Sequence, residues 1–210
     1  MSDNGAGTAS QKDIAALAKG GRTNFFGFLL RLVARIPFLF IAARLYGAAA
    51  MGRFASALVM VEFAGMLATL GQKRGLAQRL AEEHEHPANA VADAMLVATI
   101  MALAASALLW TFPAAMFPKG HYQPADLWLI ASVWILAAGD IALAALAYRF
   151  DVGTTVRARA VVEPWALSLS AGALYFLYPA AGLSLAYVIS VGSATAVALF
   201  ALLRNYGLPR

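Results

Sequence analysis

Two arginines lie one helical turn apart inside an apolar stretch, at positions 31 and 35. The stretch, residues 25–47, has the roughly 20 apolar residues that a helix needs to cross a bilayer. Because residues four apart lie on one face of a helix, Arg31 and Arg35 point the same way. A guanidinium at membrane depth costs about 2.5 kcal/mol or more, so we expect both to face a protein interior or a water-filled cavity. Their forked donors suit phosphate, which makes them candidate substrate-binding residues.

Two acidic residues, Glu62 and Asp140, lie near the middle of other apolar segments. Small residues share their helix faces, which allows close helix contact or leaves room for a cavity. One interpretation is that either acid takes up a proton or a cation during a transport cycle. The other is that Arg35 forms an ion pair with one of them and only fixes helix packing, while Arg31 extends toward the cytoplasmic surface. Glu62 and Asp140 are therefore coupling or ion-pair candidates.

The composition is typical of a membrane protein. Hydrophobic residues make up 61% of the 210 residues and charged residues 13%, whereas about a quarter of a soluble domain is charged. The mean hydropathy of +0.70 agrees. The sequence predicts an all-α polytopic protein. The net charge of +5 does not indicate nucleic-acid binding, because the basic residues lie between apolar segments, where they set membrane orientation.

Apolar segments of spanning length divide the chain into three regions. We expect a polar cytoplasmic tail over residues 1–23, a six-helix transmembrane domain over residues 24–205 and a short cytoplasmic end over residues 206–210. The predicted spans are residues 24–46, 51–70, 91–117, 125–150, 160–178 and 182–203.

The basic residues are distributed unequally between the two sets of connections. If six spans alternate, one side of the membrane holds Lys12, Lys19, Arg22, Lys73, Arg74, Arg79, Arg149, Arg157, Arg159, Arg204 and Arg210. The other side holds Arg44, Arg53 and Lys119. Cytoplasmic connections carry the excess of Lys and Arg. The sequence therefore predicts a multi-pass membrane protein with both termini in the cytoplasm.

No sequence signature of an enzyme is found. The chain has no cysteine, no G-x-S-x-G motif, no H-E-x-x-H motif and no phosphate-binding loop. The amphipathic connection 72–87 contains a Glu-Glu-His-Glu-His run. A metal site is one interpretation, but a solvated loop is favoured, since no pair of ligands is spaced i, i+4 on a firm helix. We expect no catalytic residue, metal or cofactor.

Several short motifs, taken in order, resemble a known family. They are Ala-Lys-Gly-Gly before the first span, Ala-Arg-Leu-Tyr-Gly at residues 43–47, Gly-Arg-Phe-Ala at 52–55, Leu-Gly-Gln-Lys-Arg-Gly-Leu at 70–76, and Arg-Ala-Arg-Ala at 157–160 leading into Val-Val-Glu-Pro-Trp. This order resembles the N-terminal half of the polysaccharide and O-antigen flippases in the multidrug, oligosaccharidyl-lipid and polysaccharide exporter superfamily. Glycines at 47 and 52 would form a tight turn between apposed helix ends.

The resemblance implies a transporter that moves lipid-linked pyrophosphate oligosaccharides across the inner (plasma) membrane, built from two six-helix lobes around a cavity. The chain supplies one lobe. It would then be a fragment, a split gene product or a half-sized protein that pairs with itself or another chain. The expected partners are the glycan lipid, membrane lipids and a second lobe, with no nucleic acid.

Two alternative functions stay open from the sequence. The first is a non-transporting membrane scaffold or partner of a glycan synthesis complex. The second is a multidrug-type exporter, in which a hydrophobic cation would seek Glu62 or Asp140. The cationic face at Arg31 and Arg35 argues against the exporter, because it would repel such a drug.

Overall fold

The computed structural model describes residues 28–82, apart from Arg31, and residues 86–207. This part of the chain is helical, without strands. Helix α1 is described over residues 28–30 and 32–41, and it continues as a π-helical turn, Ala42–Tyr46. The other helices are α2 Gly47–Ala68, α3 Gln72–Glu82, α4 Pro87–Thr111, α5 Ala131–Tyr148, α6 Val152–Val156, α7 Glu163–Leu177 and α8 Gly182–Tyr206. A 3₁₀ segment, Pro124–Ile130, leads into α5, and a π-helical segment, Arg157–Val162, joins α6 to α7.

Four helical segments in the described part of the chain are long and apolar enough to cross a membrane. They are Pro87–Thr111, Pro124–Tyr148, Val152–Leu177 and Gly182–Tyr206. The prediction of an all-α membrane protein is therefore confirmed. The first predicted span lies partly outside the described residues, α2 is not among the four, and the count of six stays a prediction. The predicted tail and the last three residues of the chain lie outside the described residues.

The fifth predicted span was wrong at its start. The helix begins at Val152 and not near residue 160, because Asp151 caps it. The Thr154 backbone N–H donates to Asp151 Oδ1 at 3.1 Å, and the Thr154 hydroxyl donates to Asp151 Oδ2 at 2.7 Å. Such a cap satisfies donors that a helix start leaves open. Arg157 and Arg159, which the sequence placed in a cytoplasmic connection, are therefore helical.

The break between α1 and α2 lies at a single glycine. Gly47 has a φ of +77°, a left-handed conformation that glycine adopts without steric cost. The sequence indicated a tight turn from Gly47 through Gly52. The structure confines the break to Gly47, and Gly52 lies within the second turn of α2.

The centre of the bundle is α5, which packs against α2, α3, α4 and α8, while α7 packs mainly on α8. Small residues line these contacts, as is typical of helix packing in membranes. Ala137, Ala142 and Ala145 of α5 are buried, as are Ala194 and Ala198 of α8. These contacts position the charged residues described next.

The amphipathic connection forms α3, as predicted. Its apolar residues Leu76 and Leu80 are buried against the bundle, while Arg74 and Arg79 are exposed. Residues 83–85, the centre of the Glu-His run, lie outside the described residues. Among the residues that the structure describes, no group of three His, Cys, Asp or Glu side chains could hold a metal ion.

Candidate functional site

Five charged side chains of alternating sign form a continuous series, here called the ion-pair chain: Lys73, Asp140, Arg159, Glu163 and Arg35. Lys73 Nζ lies 2.6 Å from Asp140 Oδ2, and Arg159 Nη2 lies 2.6 Å from Asp140 Oδ1. Arg159 Nη1 lies 2.9 Å from Glu163 Oε2. Arg35 Nη2 completes the series at 3.8 Å from Glu163 Oε1. The chain joins residues that are far apart in the sequence.

Four helical elements contribute to the ion-pair chain. Lys73 lies in the first turn of α3, Asp140 in α5 and Arg35 in α1. Arg159 lies in the π-helical segment, and Glu163 is the first residue of α7. The last two are four residues apart on one continuous helical run, the spacing at which side chains meet. Packing of α3 and α6 against α5 therefore brings distant charges together.

Burial is greatest in the middle of the ion-pair chain. The side chains are 50% exposed at Lys73, 26% at Asp140, 17% at Arg159, 6% at Glu163 and 45% at Arg35. A charge inside a protein is costly unless it is paired and hydrogen-bonded. The three inner members meet this requirement, since short charge-assisted bonds join them. The two accessible ends are both cations.

Arg35 has the weakest link to the rest of the chain. Its 3.8 Å separation from Glu163 is an ion-pair distance but exceeds that of a hydrogen bond. No side chain of the described residues accepts a hydrogen bond from it. The surrounding residues Leu32, Ile36 and Leu39 are exposed. Arg35 is thus a half-exposed cation among exposed apolar residues of α1, with donors that an anion can use.

The predicted pairing of Arg35 with Glu62 or Asp140 was wrong. The carboxylate beside Arg35 is that of Glu163. Asp140 instead pairs with Lys73 and Arg159, and both of its oxygens are engaged. The prediction failed because the depth of a residue along its helix does not determine which helix face meets which neighbour.

Glu62 forms no ion pair with the ion-pair chain within the described residues. Its Oε1 accepts a hydrogen bond of 3.1 Å from the hydroxyl of Tyr187 in α8. The Tyr187 ring is buried and meets Phe54 edge-on, with 6.0 Å between ring centroids. The structure thus gives Glu62 a neutral partner. Arg31, the other predicted binding residue, lies outside the described residues, and its role stays a prediction.

Sequence reasoning missed Lys73, Arg159 and Glu163 as members of a site. Lys73 and Arg159 were assigned to connections that set membrane orientation, and Glu163 only to a family-like motif. One signal was present, because Arg159 and Glu163 have the i, i+4 spacing of a helical ion pair. This spacing did not identify the pair, because a helix that begins at residue 160 leaves Arg159 outside it.

The chemistry that the ion-pair chain allows is electrostatic. It contains three cations and two carboxylates, so the carboxylates do not neutralise it. The excess positive charge is accessible at both ends, at Lys73 and at Arg35. Forked guanidinium donors bind phosphate and carboxylate groups well.

Comparisons of the chain with protein-family models, curated proteins and solved structures found no match.

Proposed function

We propose that the chain is a flippase-like membrane protein that moves a lipid-linked pyrophosphate oligosaccharide, with Arg35 contacting the anionic group. The observation that supports this best is the Arg35 guanidinium itself. It is 45% exposed at the end of a series of charges with a net positive balance, and the other exposed residues described in α1 are apolar. An amphiphile with a phosphate group and an apolar tail matches that surface. Arg31 would add a second guanidinium on the same face.

We propose six spans with both termini on the cytoplasmic side of the plasma membrane. The start of α2 lies near Lys119, since Ala48 and Lys119 line the same cavity. Just beyond the other end of α2, Lys73 reaches Asp140 within α5, so α2 runs from this cavity toward the ion-pair chain. Arg149 donates to the Asn205 carbonyl at 2.7 Å, which brings the ends of α5 and α8 together. These positions support alternating spans.

The second lobe in this proposal packs against α1. The large apolar residues of α1 are exposed, and Arg35 lies among them. They are Phe28, Leu32, Ile36 and Phe40. Either a second copy or a different membrane chain would enclose a cavity there, as in the exporter family that the sequence resembles. Within a bilayer the same surface suits lipid, so oligomer mass in nanodiscs is the direct measurement.

A non-transporting scaffold is the second candidate. The observation that favours it is the short pairing of Asp140 with Lys73 and Arg159, both at 2.6 Å, which suits static fastening of helices. A multidrug-type exporter is less favoured. Both carboxylates of the ion-pair chain already have cationic partners, and the balance of charge around them repels a cationic drug.

The test uses the full chain reconstituted in liposomes with a fluorescent polyprenyl-pyrophosphate sugar. Arg35→Gln should lower binding of this lipid and its transfer between leaflets about tenfold, as expected for loss of one charge-assisted contact. The helical content and melting temperature should hardly change, because a half-exposed pair at 3.8 Å contributes little stability.

Arg44→Gln is the matched control, since Arg44 is an exposed arginine outside the ion-pair chain. It should bind and move the lipid as the wild type does. If both variants lost lipid binding and transfer equally, the effect would come from general surface charge, and the role of Arg35 would be contradicted. Wild-type protein that binds the lipid but never moves it, even when its oligomer is intact, would favour the scaffold.

A further inference from the structure

A cavity of about 550 Å³ opens at the end of the bundle opposite Lys73. Three basic side chains line it: Arg53, Lys119 and His121. Apolar and small residues, including Gly52, Phe117 and Pro118, form the rest of the wall. The cavity lies between the start of α2 and the connection from α4 to α5. It contains none of the residues of the ion-pair chain.

Local hydrogen bonds hold the basic residues around this cavity. Ser56 of α2 donates to the Met116 carbonyl at 3.1 Å, which fastens the connection to the helix. His121 Nδ1 lies 2.7 Å from the Lys119 carbonyl across Gly120, whose φ is +68°. Three basic groups from two separate parts of the sequence thus surround one space.

No carboxylate in the described part of the chain lies within ion-pair distance of Arg53 or Lys119. Asp126 shares a separate, much smaller gap with Arg53. Both Asp126 oxygens already accept hydrogen bonds, from Ser184 Oγ at 2.6 Å and from the Gln123 N–H at 2.9 Å. The donors of Arg53 and Lys119 are therefore not taken up by a carboxylate in the described part of the chain.

The start of α2 adds to this field. Ala48 and Ala49, in its first turn, also line the cavity, and no side chain caps that end of the helix. The first N–H groups of a helix carry partial positive charge and lack intrahelical acceptors. A Cβ built on Gly52 would meet no atom within 4 Å, so a ligand can approach the helix backbone there.

We propose that this cavity binds the phosphate group of an anionic membrane lipid. The basic residues and helix start match a phosphate, and Phe117 and Pro118 give it the apolar wall that a free ion would not need. Trp110 and Tyr122, exposed near the same connection, are the residue types found at the level of lipid headgroups. This site is separate from Arg35 and does not depend on the proposed transport function.

Native mass spectrometry of the full chain in detergent tests the proposal. The probes are phosphatidylglycerol, zwitterionic phosphatidylcholine and inorganic phosphate, each titrated alone. Phosphatidylglycerol should bind about tenfold more tightly than phosphatidylcholine, and the double variant Arg53→Gln/Lys119→Gln should lose that preference. Gly52→Leu should weaken binding while keeping every charge, because its side chain would occupy the cavity.

Arg44→Gln controls for general charge at this end of the bundle and should retain wild-type binding. Circular dichroism of each variant checks that it is folded. Unchanged phosphatidylglycerol binding in both the double variant and Gly52→Leu would overturn the site. Inorganic phosphate that binds as tightly as the lipid, and is lost in the same variants, would overturn the lipid as occupant.

Discussion

Asp140 is the residue through which three helices are linked. It accepts one bond from Lys73 of α3 and one from Arg159, which precedes α7. Without it, Arg159 would keep only Glu163 as a partner, in a setting where its side chain is 17% exposed. A cation with reduced compensation in a buried site is destabilising.

Asp140→Asn is therefore expected to destabilise the fold by about 2 kcal/mol, less than for a fully buried pair, because Asp140 is partly exposed. Thermal unfolding in detergent, followed by circular dichroism, measures this. Asp93→Asn is the control: Asp93 and Arg79 are both exposed and 3.9 Å apart, so its effect should be under about 0.5 kcal/mol. Similar decreases in the free energy of unfolding for the two variants would show that the burial of Asp140 does not determine its contribution to stability.

At the residue scale the sequence located charges within apolar segments but did not identify their partners. Arg35, Glu62 and Asp140 were correctly recognised as charges inside apolar segments. Lys73 lies 67 positions from Asp140, and no local pattern encodes a contact over that separation. Depth follows from the length of an apolar run, whereas pairing depends on how each helix is rotated about its axis.

At the scale of elements, the contact between α5 and α8 depends on a glycine. A Cβ at Gly139 would lie 2.5 Å from Thr195 Oγ1, closer than such atoms approach. Thr195 cannot turn away without cost, because its hydroxyl donates to the Ile135 carbonyl at 3.0 Å. The absence of a side chain at Gly139 thus sets the distance between the two helices.

Gly139→Ala should destabilise the protein by about 1–3 kcal/mol, the usual cost of overpacking a tight contact. Gly172→Ala in α7 is the matched control, since its Cβ would meet nothing within 4 Å. It should be neutral or stabilising by up to about 1 kcal/mol, because alanine favours a helix over glycine. The melting temperatures of the two variants, compared with that of the wild type, measure these effects. A Gly139→Ala variant as stable as the wild type would mean that α8 can shift to accommodate the added methyl group.

The helices themselves were largely predictable, and their ends less so. The limits of the helical segments Pro124–Tyr148 and Gly182–Tyr206 agree closely with the predicted spans 125–150 and 182–203, because a bilayer imposes length on an apolar segment. The start at Val152 was missed since Arg157 and Arg159 look like loop residues. Arg159 is tolerated within the helical run because Asp140 and Glu163 neutralise its charge, and the contact with Asp140 depends on packing.

At the scale of the whole molecule, the number of spans is testable because the chain has no cysteine. Single cysteines at Ala48, Lys119 and Arg79 can be labelled in sealed inverted vesicles with an impermeant maleimide. With six spans, Ala48→Cys and Lys119→Cys should react only after the vesicles are opened, and Arg79→Cys should react at once. Reaction of Ala48→Cys in sealed vesicles would mean that α1 and α2 do not both cross.

The bond between Arg159 and Asp140 also bears on how the protein is made. Val152–Leu177 is the least apolar of the four candidate spans and carries three charged residues, Arg157, Arg159 and Glu163. The helix that supplies Asp140 is synthesised before it. Membrane integration of the later segment should then require the earlier one to be already in place at the translocon. A damaging change at Asp140 would appear first as mis-inserted nascent protein, before any mature molecule exists to lose activity.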